Sequence, residues 1–162
     1  MLRGMPPDSS IQALLAALDE AYDHKSWHGT NLRGSLRSVT VQQAVWRPAK
    51  GRHNIWELAV HAAYWKYIVR RSITAETRGS FSIKGSNWFI RDGTDSAQWR
   101  ADLRMLADEH RATRAAVAAL DPRRLGETGR RRFTLASLIR GVAAHDLYHA
   151  GQIQLLRRMQ RP

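Results

Sequence analysis

A chain of 162 residues has the length of a single domain, 1–162, with enough apolar side chains for one hydrophobic core. It contains no cysteine, which excludes a disulfide framework, a thiolate metal site and a cysteine nucleophile, leaving histidine, carboxylate and water to any metal. The net charge of +12 raises nucleic acid as a partner, but the arginines fall in short scattered runs: Arg70-Arg71, Arg123-Arg124, Arg130-Arg131-Arg132 and Arg157-Arg158. No helix carries a continuous basic face and no nucleic-acid-binding motif is present, so a solvated arginine-rich surface is the preferred reading. The lead from Met1 to Pro7 lacks the apolar run of a signal peptide, and no apolar stretch approaches bilayer length. The expectation is a cytoplasmic protein with no membrane partner.

In chain order, Ser9 with Gln12 three residues on reads as a capping box. Ile11, Leu14, Leu15, Leu18 and Tyr22 then give one apolar face, so a first helix is predicted from about Ser10 to about Trp27. His24 and His28 near its end suit the helix dipole and read as terminal residues rather than ligands. Gly29 to Asn54 is a long connector with one predicted turn at Thr40-Val41-Gln42-Gln43-Ala44, which either wraps the bundle or helps line a site. Asn54 caps a second helix reaching about Ala75, with Leu58, His61, Trp65 and Ile68 along its inward stripe. Gly79 to Asp95 shows no helical period, and Phe81, Trp88 and Phe89 look exposed there. These aromatics either close a pocket or cover one end of the core.

A third helix, from about Ser96 to Leu120, carries Trp99, Leu103, Leu106, His110, Thr113, Val117 and Leu120 at alternating steps of four and three, and Asp121-Pro122 ends it. After a polar connector from Leu125 to Phe133, the last helix spans Thr134 to Arg158. Its inward stripe is Leu138, Val142, His145, His149, Gln152 and Leu156. Four long amphipathic helices without a strand signal specify an all-α four-helix bundle, and the long connectors between helices one and two and between two and three argue against a simple hairpin series.

His145 and His149 stand four residues apart, so both imidazoles face the same way, about 5–6 Å apart at Cβ, and can converge on one ion. The competing reading is two hydrogen-bonded core histidines. His61 occupies a comparable inward position, and His110 is the rival for a third ligand, read here as making a core hydrogen bond. The pair resembles half of an H-E-x-x-H metalloprotease motif, but Asp146 stands where the glutamate belongs, roughly 100° around the helix from the first histidine. Asp146 is expected to form a surface or interface ion pair.

Trp46-Arg47-Pro48, then Gly51 through Lys66 with Asn54-Ile55-Trp56-Glu57-Leu58-Ala59-Val60-His61 at its centre, then His145-Asp146-Leu147-Tyr148-His149-Ala150-Gly151-Gln152-Ile153, together resemble the DinB-like (YfiT-type) metalloenzyme family over about Ser10 to Arg158. The resemblance implies a bundle in up-down-down-up order, commonly a homodimer. It also implies a divalent metal, nickel or zinc in many members, held by His61, His145 and His149. Relatives of this type include enzymes that transfer low-molecular-weight thiols such as bacillithiol or support mycothiol-dependent isomerisation, and others described as hydrolases.

Three histidines with an open position describe a catalytic metal site, able to lower the pKa of a bound water to about 7 or to bind an incoming thiol as thiolate. Gln152 either orients a metal-bound water or a ligand histidine from outside the coordination sphere or equally hydrogen-bonds within the core. Trp65 and Tyr148 are either candidate pocket walls or, with equal claim, ordinary core aromatics, and Arg52 and His53 are placed by position to meet an anionic thiol or carboxylate. The functional expectation is a metal-dependent enzyme acting on a small-molecule substrate, of thiol S-transferase or hydrolase type. The alternatives are a structural or stress-associated dimeric module with a vestigial site and, behind it, a nucleic-acid binder.

Overall fold

The computed structural model describes residues 8–129 and 132–161. The lead from Met1 to Pro7 and the residues Arg130 and Arg131 of the basic run lie outside the described residues. Six α-helices follow in order: α1 (Ser9–Tyr22), α2 (Leu32–Leu36), α3 (Val41–Val45), α4 (Ile55–Thr74), α5 (Ser96–Ala118) and α6 (Leu135–Met159), with a short 3-10 turn at Pro122–Gly126. Among the described residues there is no strand, only one isolated bridge between Thr128 and Thr134. The four helices predicted from periodicity are α1, α4, α5 and α6.

The first helix differs at both ends from the predicted span. Asp8, not Ser9, is its cap: the carboxylate accepts from the backbone N–H groups of Ser10 at 2.8 Å and Ile11 at 3.4 Å, satisfying two donors that the first turn leaves unpaired. The helix stops at Tyr22, and Trp27 is 95 % exposed. Beyond Tyr22 no apolar residue continues the stripe of Ile11, Leu14, Leu15 and Leu18, so a further turn would bury nothing. His24 and His28 therefore follow the helix rather than cap it.

The connector is more ordered than the one predicted turn. Asn31 caps α2 by accepting from the Gly34 N–H at 2.8 Å. Thr40 and Gln43 form a reciprocal capping box at α3, with bonds of 3.0 and 3.2 Å. Leu32, Leu36, Val39, Val41 and Ala44 all turn inward, so the connector wraps the bundle and buries its own apolar face. As a result every residue from Asn54 to Ala63 on α4 is buried, with no solvated face left on that half of the helix. Asn54 caps it as predicted, and Ala75 ends it in the left-handed region at φ 55.

Cross-helix contacts give the directions. Trp56 meets Asp102 and Lys66 meets His110, so α4 and α5 run the same way. Asp19 and Tyr22 of α1 meet Arg114 and His110 of α5, in opposed order. His61 and Trp65 of α4 meet His149 and His145 of α6, again opposed. These pairings set α4 and α5 side by side in one direction, with α1 opposed to α5 and α6 opposed to α4.

The core has two apolar halves. One gathers Trp56, Val60, Leu106, Ile153 and the connector residues; the other gathers Leu14, Leu18, Val69, Val117 and Ile139. A polar layer lies between them along the helices: Lys66 on α4, His110 and Thr113 on α5, and His145, Asp146 and His149 on α6. Phe81 and Phe89 of the crossover, expected to be exposed, are buried at 8 % and 5 %. They pack on Tyr64 and Tyr67 with ring centroids 5.4 to 5.6 Å apart and close one side of the core. Trp88 is the crossover aromatic that goes to the histidines instead.

Candidate metal centre

One turn of α6 separates His145 from His149, and the antiparallel passage of α4 brings His61 opposite both. His145 Nε2 lies 3.1 Å from His61 Nε2 and 3.0 Å from His149 Nε2. Two nitrogens held about 2.0–2.1 Å from a single ion are themselves separated by roughly 3 Å. The spacing fits a common cation.

The outer nitrogens show which way each ring is loaded. His61 Nδ1 stands 2.7 Å from the backbone carbonyl of Asn87, an acceptor only, so Nδ1 carries the proton and Nε2 presents its lone pair. His149 Nδ1 stands 2.6 Å from Gln152 Oε1, which fixes the same tautomer. Among the described residues His145 Nδ1 is buried without a hydrogen-bond partner. Three convergent nitrogens, two of them already committed as acceptors, have at most one proton to share, and a cation satisfies all three.

Electrostatics favour the ligating form. Burial holds the His61 imidazole down at about 4, and burial with the neighbouring His149 and His61 holds His145 down at about 3. His149 is lowered too, chiefly by burial, with the Gln152 bond opposing. Near neutral pH all three rings are neutral.

The crossover supplies the surrounding shell. Asn87 sits at φ 65, a left-handed conformation that asparagine tolerates better than most residues. Its carbonyl receives His61 and its side-chain oxygen receives the Trp65 indole N–H at 3.0 Å. Trp88 stacks on His61 at 3.8 Å and 7°, and His53 stacks on the far face of Trp88 at 3.6 Å and 6°. His53 in turn bonds Glu57, 3.0 Å from Oε2. The buried Glu57 carboxylate also takes Arg47 through two bonds of 2.9 and 2.5 Å and the Arg91 N–H at 3.3 Å. Those bonds hold Glu57 ionised, against the cost of burial.

Of the predicted pocket residues, Trp65 sets its ring edge to His61 and His145, and Tyr148, 64 % exposed, sets its ring against His149 with centroids 5.2 Å apart. His53 joins through the stack. Arg52 takes part through its backbone carbonyl, which accepts from Arg47 at 2.6 Å. His110 stays apart: it stacks on Tyr22 at 3.9 Å and lies 3.4 Å from Lys66 Nζ.

Asp146 overturns an expectation. It is fully buried, not at the surface, and receives a short hydrogen bond from the equally buried Lys66 ammonium. Burial outweighs the attraction of Lys66 and pushes the Asp146 carboxyl up to about 6. The signal was present in the row Ile139, Val142, Asp146, His149, Ile153, whose steps of three and four place Asp146 in the middle of the buried arc. Glu57 and Asn87 carried no comparable signal, because their roles depend on the path of the irregular crossover.

A helical bundle whose polar layer brings three neutral imidazoles together is the architecture of a candidate metalloprotein. A family model described as the DinB superfamily matches residues 24–153, so the chain belongs to the DinB superfamily. No curated protein and no solved structure matches it.

Proposed function

We propose that His61, His145 and His149 hold one divalent ion, nickel or zinc, and that the protein is a metal-dependent enzyme acting on a small molecule, of low-molecular-weight-thiol transferase or hydrolase type. The observation that carries this reading is the convergence of three Nε2 atoms with two tautomers fixed from behind. An ion bound there supplies an acidified water or a thiolate held ready for transfer, and the chain has no thiol of its own. Asn87 and Gln152 keep the lone pairs of His61 and His149 aimed at one point. Trp88 covers the His61 ring and keeps water from that side.

A second copy of the chain is the proposed macromolecular partner. Tyr148 and Leu155, 64 % and 59 % exposed, stand seven residues apart on α6 with exposed Ala144 one turn before them, and no helix among the described residues is long and apolar enough to cross a membrane.

Elemental analysis of untagged protein tests the metal reading. About one nickel, zinc or similar ion per chain is expected, lost in a His145→Ala/His149→Ala variant. Protein that stays metal-free after incubation with either ion moves the reading to a structural module.

A further inference from the structure

We infer that the groove between α4 and α6 is the subsite for an uncharged, apolar group of the substrate, one aromatic ring or a short branched chain in size, whose reacting end lies at the histidine cluster. This deepens the metal-enzyme reading and rests on it. The groove holds about 230 Å³ and is walled by Trp65, Val69, Leu138, Gly141, Val142 and His145, with Phe133 and Ser137 at its edge. Its floor at one end is therefore a member of the cluster itself, and His145 is the one of the three imidazoles that is not fully buried.

Charge decides the kind of group. On a chain with 26 lysines and arginines, no lysine, arginine or carboxylate among the described residues lines this groove. The larger cleft of about 660 Å³ is lined by Asp23, Arg33, Arg37 and Arg104 and shares no residue with the cluster. An anionic ligand would be drawn there, an apolar one to the groove.

Size narrows it further. The volume equals about seven or eight liquid waters and falls below the roughly 300–1,000 Å³ of sites for drug-sized molecules. Eight lining residues are also too few for a protein partner, which engages about 20–30 residues a side.

Gly141 adds an independent observation. It lies inside α6, where glycine is the poorest helix former apart from proline. Its φ is not positive and a Cβ added there meets nothing within 4 Å, so neither backbone conformation nor close packing requires glycine. What the missing side chain leaves is the open groove.

The test uses toluene, which has no metal-binding head, and the pair benzyl mercaptan and 2-mercaptoethanol, which share a thiol head. Toluene should shift the indole N–H resonance of Trp65 saturably in both metal-free and metal-loaded protein. Metal-loaded protein should bind benzyl mercaptan at least tenfold more tightly than 2-mercaptoethanol. Gly141→Leu should lose tenfold or more of the toluene and benzyl mercaptan affinity, while Gly141→Ala stays within threefold of wild type. Both variants should melt no lower than wild type, Gly141→Ala a few degrees higher because alanine is the better helix former, and both should keep the wild-type metal content.

Absence of saturable toluene binding to wild type, or wild-type affinity in a folded Gly141→Leu, overturns the inference. So does a Gly141→Leu chain that turns a dimer into a monomer, since the groove would then be covered by a second copy. Metal content separates the two readings: toluene binding that depends on Gly141 in a chain that takes no metal supports the groove and removes the metal enzyme, and a metal-loaded chain that ignores toluene does the reverse.

Discussion

On the side away from the cluster the His149 ring is held by the hydrogen bond from Nδ1 to Gln152 Oε1 at 2.6 Å. Gln152→Leu keeps the helix and most of the volume but releases the ring to either tautomer, so affinity for the divalent ion should fall about 10–100-fold with little change in unfolding midpoint. Competition against a chromogenic chelator measures this, and unchanged affinity would reduce Gln152 to a packing residue. Asn87 offers a sharper comparison, because what it gives His61 is a backbone carbonyl presented at φ 65. Asn87→Gly keeps that conformation and should bind metal nearly as wild type does. Asn87→Val disfavours it by roughly 1–2 kcal/mol and should weaken both metal binding and stability. Equal affinity in the two variants would show that the loop conformation does not govern His61. At this scale the sequence reveals the three imidazoles, which repeat with the helix, and hides Asn87 and Glu57, which meet the site only through the folded course of connector and crossover.

Between α4 and α6 the strongest polar link is Lys66 to Asp146, both wholly enclosed, with Lys66 Nζ also 5.1 Å from the Tyr22 ring centroid. Removing one partner strands the other charge in the core, so Lys66→Met or Asp146→Leu alone should cost about 3–5 kcal/mol, whereas the double variant should cost much less than their sum and even approach wild type. Urea unfolding of the four proteins gives the coupling, and strictly additive losses would mean that the pair is not what joins these helices. The long helices themselves are legible because steps of three and four persist over many turns. α2 is missed because five residues are too few to show a period. The solvated face expected of α4 is absent from its first half because ten consecutive residues from Asn54 are covered by chain segments distant in sequence. Asp146 is misplaced for a related reason: an acidic residue is assigned to the surface by type, and only its lysine partner, eighty residues earlier, makes burial tolerable.

For the whole molecule, the polar layer makes stability depend on acid in a definite direction. In the metal-free chain His61 titrates at about 4, His145 and His110 at about 3, and His149 is lowered as well, burial being the main cause in each. An unfolded imidazole titrates near 6.5. As pH falls below that value the unfolded chain takes up protons that the native state refuses, so stability complete above about 6.5 is lost toward the native values. Asp146 acts the other way: raised to about 6, it gains a proton in the folded state before it would in the unfolded one, and offsets one of the four. His61, His145 and His110 less Asp146 leave about two protons, so the loss near pH 5 is about 3 kcal/mol per pH unit, to which the lowered His149 adds, enough to exhaust an ordinary stability of roughly 5–15 kcal/mol within a few units. Melting temperatures of metal-free protein at pH 7.5, 6.5, 5.5 and 5.0 should fall slightly over the first step and drop with growing slope after it. His110→Gln removes one of the four imidazoles without touching the cluster, and its slope should be shallower by about 1.4 kcal/mol per pH unit. Saturating metal should add a nearly constant increment of stability from pH 7.5 to 5.0, because protons compete for the native His61 and His145 nitrogens only as pH approaches about 4. A metal-free chain that melts at one temperature from pH 7.5 to 5.0 would show that the buried layer is not held neutral.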